Sequence, residues 1–158
     1  MAEKITEIKG AIALVMGAVS AALGWFGWLV VLYVACMTMD WITGSMAACR
    51  NRQWESAKAR DGIWHKFGSI FAVLVSGGAD FLIGLMINNL PNIQLPFTYG
   101  VLFCPVVIVW YIIAEMGSIV ENASKLGAPV PKFLRYMLVR MHDVVDSAGE
   151  VLTEEKGK

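Results

Sequence analysis

Apolar residues in this chain fall into long uninterrupted runs. No charged side chain occurs between Lys9 and Asp40, and between Lys66 and Glu115 the only one is Asp80. A helix needs about 20 mostly apolar residues to cross about 30 Å of hydrocarbon. Three stretches meet or approach that requirement: 10–39, 67–87 and 97–114, the last continuing as helix to about residue 120. The link between the second and third, 88–96, is polar, uncharged and punctuated by Pro91 and Pro96. So short a connection predicts an antiparallel hairpin. The first run is too long for one upright span, because 30 residues make about 45 Å of helix. It predicts either one tilted helix or a shallow helix before Gly24 followed by a span from Trp25, since tryptophan favours the membrane interface. A cleavable signal peptide is the weaker reading. Lys4 and Lys9 precede the run and Ser20-Ala21-Ala22 resembles a cleavage site, but Glu3 and Glu7 share the leading segment and hydrophobicity continues past Ala22.

After Gly127, Pro129 and Pro131 form a Gly-then-Pro stop. A further helix is predicted over 130–153, where Leu134, Leu138, Met141, Val145, Ala148 and Leu152 recur at the helical period. Lys132, Arg135 and Arg140 crowd its start; Asp143, Asp146 and Glu150 occupy its later turns. Such an amphipathic helix can lie at the lipid interface, pack on copies of itself, or pack on segment 43–66. The fold predicted is thus a single all-α integral membrane domain over 1–158. It has about three transmembrane helices, a long first one and then a hairpin, plus an amphipathic cytoplasmic helix.

Composition supports this class. Hydrophobic residues make up 57% of the 158 and charged residues 16%, against about 25% charged in soluble domains. A water-soluble domain this size buries only about 70% of its surface and has no room to hide such runs. Net charge is zero, which gives no footprint for nucleic acid. The distribution of basic residues sets orientation: 43–66 carries Arg50, Arg52, Lys58, Arg60 and Lys66, the C-terminal segment carries six more, and the 88–96 link none. Segment 43–66 and the C-terminus are therefore expected in the cytoplasm. Cys36, Cys49 and Cys104 are dispersed and odd in number, so neither a disulfide framework nor a zinc site is predicted.

Small residues at Gly10, Ala13, Gly17, Ala21 and Gly24 share one side of a helix, either as a self-association seam or as ordinary small-residue enrichment in a membrane helix. Asp80 is the costliest residue, since Asp at mid-bilayer is unfavourable by about 3 kcal/mol on insertion scales. It either lines a polar interface that becomes wet, as a pore candidate, or bonds a neighbouring helix through Ser76 or Asn88. Asp40 and Glu115 fall at the cytoplasmic ends of the first and third spans. Pro105 is placed inside the third helix, as a hinge or a static kink. Gly77-Gly78 reads as close helix packing. His65 and His142 are isolated, and no catalytic or phosphate-binding motif occurs, so neither an enzyme nor a cofactor is expected.

Specific residues also carry a family resemblance. Met39-Asp40-Trp41-Ile42-Thr43-Gly44 with Ala47-Ala48 resembles the Asp-aromatic-x-Thr-Gly signature of a phage holin family that includes the clostridial toxin-secretion holins. Ser118-Ile119-Val120-Glu121-Asn122, then Gly127-Ala128-Pro129-Val130-Pro131, resembles that family's Ser-Ile-x-Glu-Asn and Gly-x-Pro-x-Pro region. Lys58 to Lys66 is similar to its basic linker, and Asp80 and Glu115 to acidic positions at the spans. The resemblance covers about residues 25–138. It implies a holin: a protein of the bacterial inner membrane that oligomerises into lesions, depolarises the cell and releases an endolysin or a toxin. The partners implied are lipid, further copies of the chain and an endolysin, with an antiholin as an optional regulator. A small oligomeric ion or solute channel and a non-conducting membrane adaptor remain alternatives.

Overall fold

The computed structural model describes residues 24–89 and 100–154, which form four α-helices and, among the described residues, no strand. These are α1 (Trp25–Arg50), α2 (Ser56–Asn89), α3 (Phe103–Lys125) and α4 (Lys132–Glu154). The small residues Gly10, Ala13, Gly17 and Ala21, any cleavage site near Ala21, and most of the 88–96 link lie outside the described residues. Gly24 starts α1 with φ 57°, a left-handed conformation that glycine adopts without steric cost.

α1, α2 and α3 are each long and apolar enough to cross a membrane. At 1.5 Å per residue the 34 residues of α2 run about 51 Å, well beyond the hydrocarbon. Its charged first turns therefore project from the bilayer below the apolar part. The segment read as a basic loop, 43–66, is mostly helical: α1 continues through Arg50, α2 starts at Ser56, and only Asn51–Glu55 connects them.

α3 is the central element, packed on α1, α2 and α4, whereas α1 and α2 scarcely touch. Tyr33 meets Tyr111, and Asp40 meets Asn122, so α1 and α3 run parallel. Asp80 meets the start of α3 and Lys66 meets Glu115, so α2 runs antiparallel to both. The apolar core lies between α1 and α3, with Tyr33, Cys36, Met37, Cys104, Ile108 and Ile112 buried together. Ile108 at its centre is 0% exposed.

Both parallel helices end in the same motif at the same level. At the end of α3, Gly127 (φ 85°) donates to Ser124 O at 2.9 Å and Ala128 to Ala123 O at 3.0 Å. This is the Schellman pattern, which satisfies two orphan carbonyls. α1 ends identically, with Arg52 N–H on Cys49 O at 3.2 Å and Gln53 N–H on Ala48 O at 2.9 Å. Its left-handed position is held by Arg52 (φ 54°), where a side chain is strained. The Arg50 guanidinium donates to the Leu126 carbonyl, tying the two ends together.

α4 folds back along α3. The Trp110 indole N–H donates to Asp146 Oδ1 at 2.6 Å, and its ring lies 4.5 Å from that of His142. Leu138 is buried against α3, while Phe133, Met137, Met141 and Val144 stay exposed. Within one chain this helix packs on α3 and not on segment 43–66.

Candidate functional site

The residues of α2 that are buried are Ser69, Ser76 and Asp80, all polar. With Lys66 they fall at 66, 69, 76 and 80, spacings of three, seven and four that keep them on one face. The rest of the helix exposes large apolar groups, among them Phe71, Leu74, Val75, Phe81 and Leu82. This helix is polar inward and apolar outward, the reverse of a helix folded in water. Lipid provides no hydrophobic drive to hold it, so its attachment rests on packing and hydrogen bonds.

At the end near the connection, Lys66 Nζ lies 2.9 Å from Asp40 Oδ2 and 2.6 Å from Glu115 Oε2. One ammonium thus joins a carboxylate of α1 to a carboxylate of α3. Asn122 Nδ2 donates to the other oxygen of Asp40 at 3.0 Å and lies 3.4 Å from Thr43 Oγ1. A Cβ built on Gly44 would stand 3.3 Å from Asn122 Nδ2, so the glycine is what lets α1 and α3 approach here. Thr43 also donates to Met39 O at 2.8 Å.

Near the other end, Asp80 caps a different helix. Its Oδ1 accepts from the N–H groups of Leu102 (3.1 Å) and Phe103 (2.9 Å), and its Oδ2 from that of Cys104 (2.8 Å). Four N–H groups at a helix start lack intrahelical partners. Here three go to Asp80, and the fourth position is Pro105, which has none. Pro105 therefore sits in the first turn of α3, where proline is tolerated, and not in mid-helix as expected. The kink predicted from it has no basis, because Val101 precedes the helix. Burial of a carboxylate at 5% exposure is compensated by these charge-assisted bonds and the positive end of the α3 dipole. Ser76, considered as a partner for Asp80, donates to Val73 O at 2.8 Å.

Between the two ends, the Tyr33 hydroxyl donates to Ser69 Oγ at 2.6 Å, and Ser69 Oγ donates to Lys66 O at 2.8 Å. Cys104 Sγ lies 3.5 Å from Val73 O. Beside the ion pair, α1 and α2 part to leave an open cleft of about 940 Å³ over α3, lined by Trp41, Trp54, Trp64, Trp110 and Ser118.

Asp40, Thr43, Gly44, Glu115 and Asn122, singled out in separate stretches of sequence, thus converge on one junction. Ser118 borders the cleft beside them. Glu121 faces outward and pairs with Lys125 at 3.0 Å. Gly127 and Pro131 shape the turn into α4, and a Cβ on Gly127 would lie 3.5 Å from the Arg50 guanidinium. Of Gly77-Gly78, only Gly77 faces a neighbour, Cys104 Sγ at 3.5 Å; nothing lies within 4 Å of a Cβ on Gly78. Lys66, the hub, is hard to single out in sequence because it stands among the basic residues of 43–66. Its helical spacing with Ser69, Ser76 and Asp80 was the available signal. Among the described residues no His, Cys, Asp and Glu cluster suited to a metal occurs.

The model of a bacteriophage holin family matches residues 17–143. An uncharacterized protein of Clostridium perfringens (strain 13 / Type A) is 28% identical over 114 residues, covering 72% of this chain and 75% of that protein. No solved structure matches.

Proposed function

Because the chain belongs to the bacteriophage holin family, we propose that it accumulates in the host inner membrane and then oligomerises into lesions that collapse the membrane potential and release an endolysin or toxin. The membrane-protein class follows from the family and from three helices able to span. The observation that supports the lytic step is the reversed polarity of α2, whose buried residues are all polar. In the isolated chain Lys66, Ser69 and Asp80 are satisfied by α1 and α3. If α2 moves, those groups require water or another protein surface, because hydrocarbon offers neither. A subunit of this kind is stable alone and yet carries a face suited to a wet lesion. Asp80 is the charge best placed to sense the change, since one charge moved through 100 mV is worth about 2.3 kcal/mol.

In this reading 43–66 and the C-terminus are cytoplasmic, the small residues Gly10 to Gly24 contribute a self-association seam, and the endolysin is a functional partner that passes through the lesion. No catalytic step is involved. The test is inducible expression with a potential-sensitive dye and a co-expressed cytoplasmic endolysin. Abrupt depolarisation followed by lysis is the expected result. Discrete conductance without lysis would make the protein a channel, and sealed cells at high expression would make it an adaptor; either ends the holin reading.

A further inference from the structure

The contacts that hold α2 are of a kind that a second copy can supply unchanged. The polar ones are Lys66 with Asp40 and Glu115, Tyr33 with Ser69, and Asp80 with the start of α3, and the apolar ones are Val73 on the α1–α3 core and Gly77 on Cys104. The acceptor surface for α2 is made by α1 and α3, which share their own apolar core. α1 and α2 scarcely touch, so the packing that opposes release of α2 lies against α3. The connection Asn51–Glu55 is short and contains Arg52 at φ 54°, and strained short hinges favour exchange of elements between copies. From Arg50 to Ser56 the extended chain reaches about 20 Å, about twice the 8–10 Å spacing of packed helices. That is enough to reach the α1–α3 face of an adjacent molecule.

We infer that the chain self-associates by exchanging α2, the Lys66 and Asp80 of one copy docking on the Asp40, Glu115 and α3 start of the next. This deepens the assembly step proposed above and rests on it. Exchange leaves no polar group bare in lipid at the end state, because every bond lost within a copy is re-formed between copies. Each copy gives one α2 and receives one. Reciprocal exchange between two copies closes as a dimer, whereas exchange passed on to a third copy runs head to tail and forms a ring or an open array. Assembly then depends steeply on accumulation, since a free acceptor arises only when a neighbour has also released its helix.

Cysteine cross-linking reads this directly. A Cβ at Gly77 lies 3.5 Å from Cys104 Sγ, so Gly77→Cys, with Cys36→Ala and Cys49→Ser, forms a disulfide with native Cys104 on addition of an oxidant. In membranes at low expression the product should be an internally cross-linked monomer. At high expression at least half of it should appear as a ladder of dimers and larger species. Val75→Cys in the same background faces lipid and should give no ladder. Monomer-only product at every expression level, or an equal ladder from Val75→Cys, would overturn exchange. Charge inversion provides the second arm. Lys66→Glu and Glu115→Lys should each abolish assembly, and co-expression of the two chains should restore it to at least half the native extent. Restoration by the double variant in one chain but not by co-expression would overturn exchange; if the double variant also fails, the ladder decides. Both arms are read on gels, so they stand whether or not the membrane depolarises, and failure of the lytic reading is distinguishable from failure of exchange.

Discussion

The carboxylate of Asp80, on α2, accepts the N–H of Cys104 at 2.8 Å and so begins a helix to which it does not belong. Removing it as Asp80→Ala leaves the N–H groups of Leu102, Phe103 and Cys104 without this acceptor. A loss of about 3 kcal/mol is expected, read as a lower midpoint when the purified protein is titrated with denaturing detergent in bicelles. Asp80→Asn keeps one oxygen acceptor and should lose about half as much. At equal accumulation it should also bring depolarisation forward, because α2 is held less firmly.

Lys66 and Glu115 should not be equivalent when substituted. Lys66→Met leaves the carboxylates of Asp40 and Glu115 facing one another with no cation between them. Glu115→Gln leaves the Lys66–Asp40 pair intact. Losing one partner of a buried pair costs about 3–5 kcal/mol, and this junction is partly open to solvent, so about 2 kcal/mol is expected for Lys66→Met and about 1 kcal/mol or less for Glu115→Gln. The same detergent titration ranks them; equal effects would mean that the ammonium is not the hub.

At the end of α1, Arg52→Gly should stabilise the protein. The left-handed conformation is unfavourable by about 1–2 kcal/mol for a residue with a side chain, and glycine there is the usual partner of the Schellman turn. A gain of about 1 kcal/mol is expected, seen as a raised thermal midpoint in detergent. The same substitution relaxes the hinge and should delay the appearance of cross-linked ladders.

Glycines of similar appearance should respond oppositely. Gly44→Val pushes against Asn122, 3.3 Å from the added Cβ, and separates α1 from α3 at the level of Asp40. Loss of about 2 kcal/mol is expected from such overpacking. Gly78→Ala meets nothing within 4 Å and should gain up to about 1 kcal/mol from helix propensity. Helicity and thermal midpoint of the two variants provide the comparison.

The spans were legible because hydrocarbon imposes a length and forbids charge, and both constraints show in the runs around Tyr33, Val73 and Ile108. What Asp80 does was not legible. The cap depends on where α3 begins, and that boundary rests on Pro105 lying in a first turn, which apolar runs do not mark. Lys66 was hidden for a related reason: a charge at the edge of a span looks like the solvated flank that usually stands there. Asp40 and Glu115 stand out as acidic residues at the ends of spans and Asn122 by likeness to a family, yet that they meet is a fact of helix pairing, which their separation of some eighty residues leaves open. The return of α4 onto Trp110 had no sequence signal, because the amphipathic period fits several surfaces equally.

The cap on α3 also has a consequence for biogenesis. The chain leaves the ribosome from its N-terminus, so α2 reaches the insertion machinery before Leu102, Phe103 and Cys104 exist. At that moment Asp80 carries its full insertion cost, about 2.5–3.5 kcal/mol on translocon scales, with its later donors still untranslated. α2 then inserts less favourably by itself than it does once α3 follows, so entry of the two as one unit is favoured. Fused behind a soluble reporter without α1, residues 56–89 alone should be more readily extracted by alkali than residues 56–125.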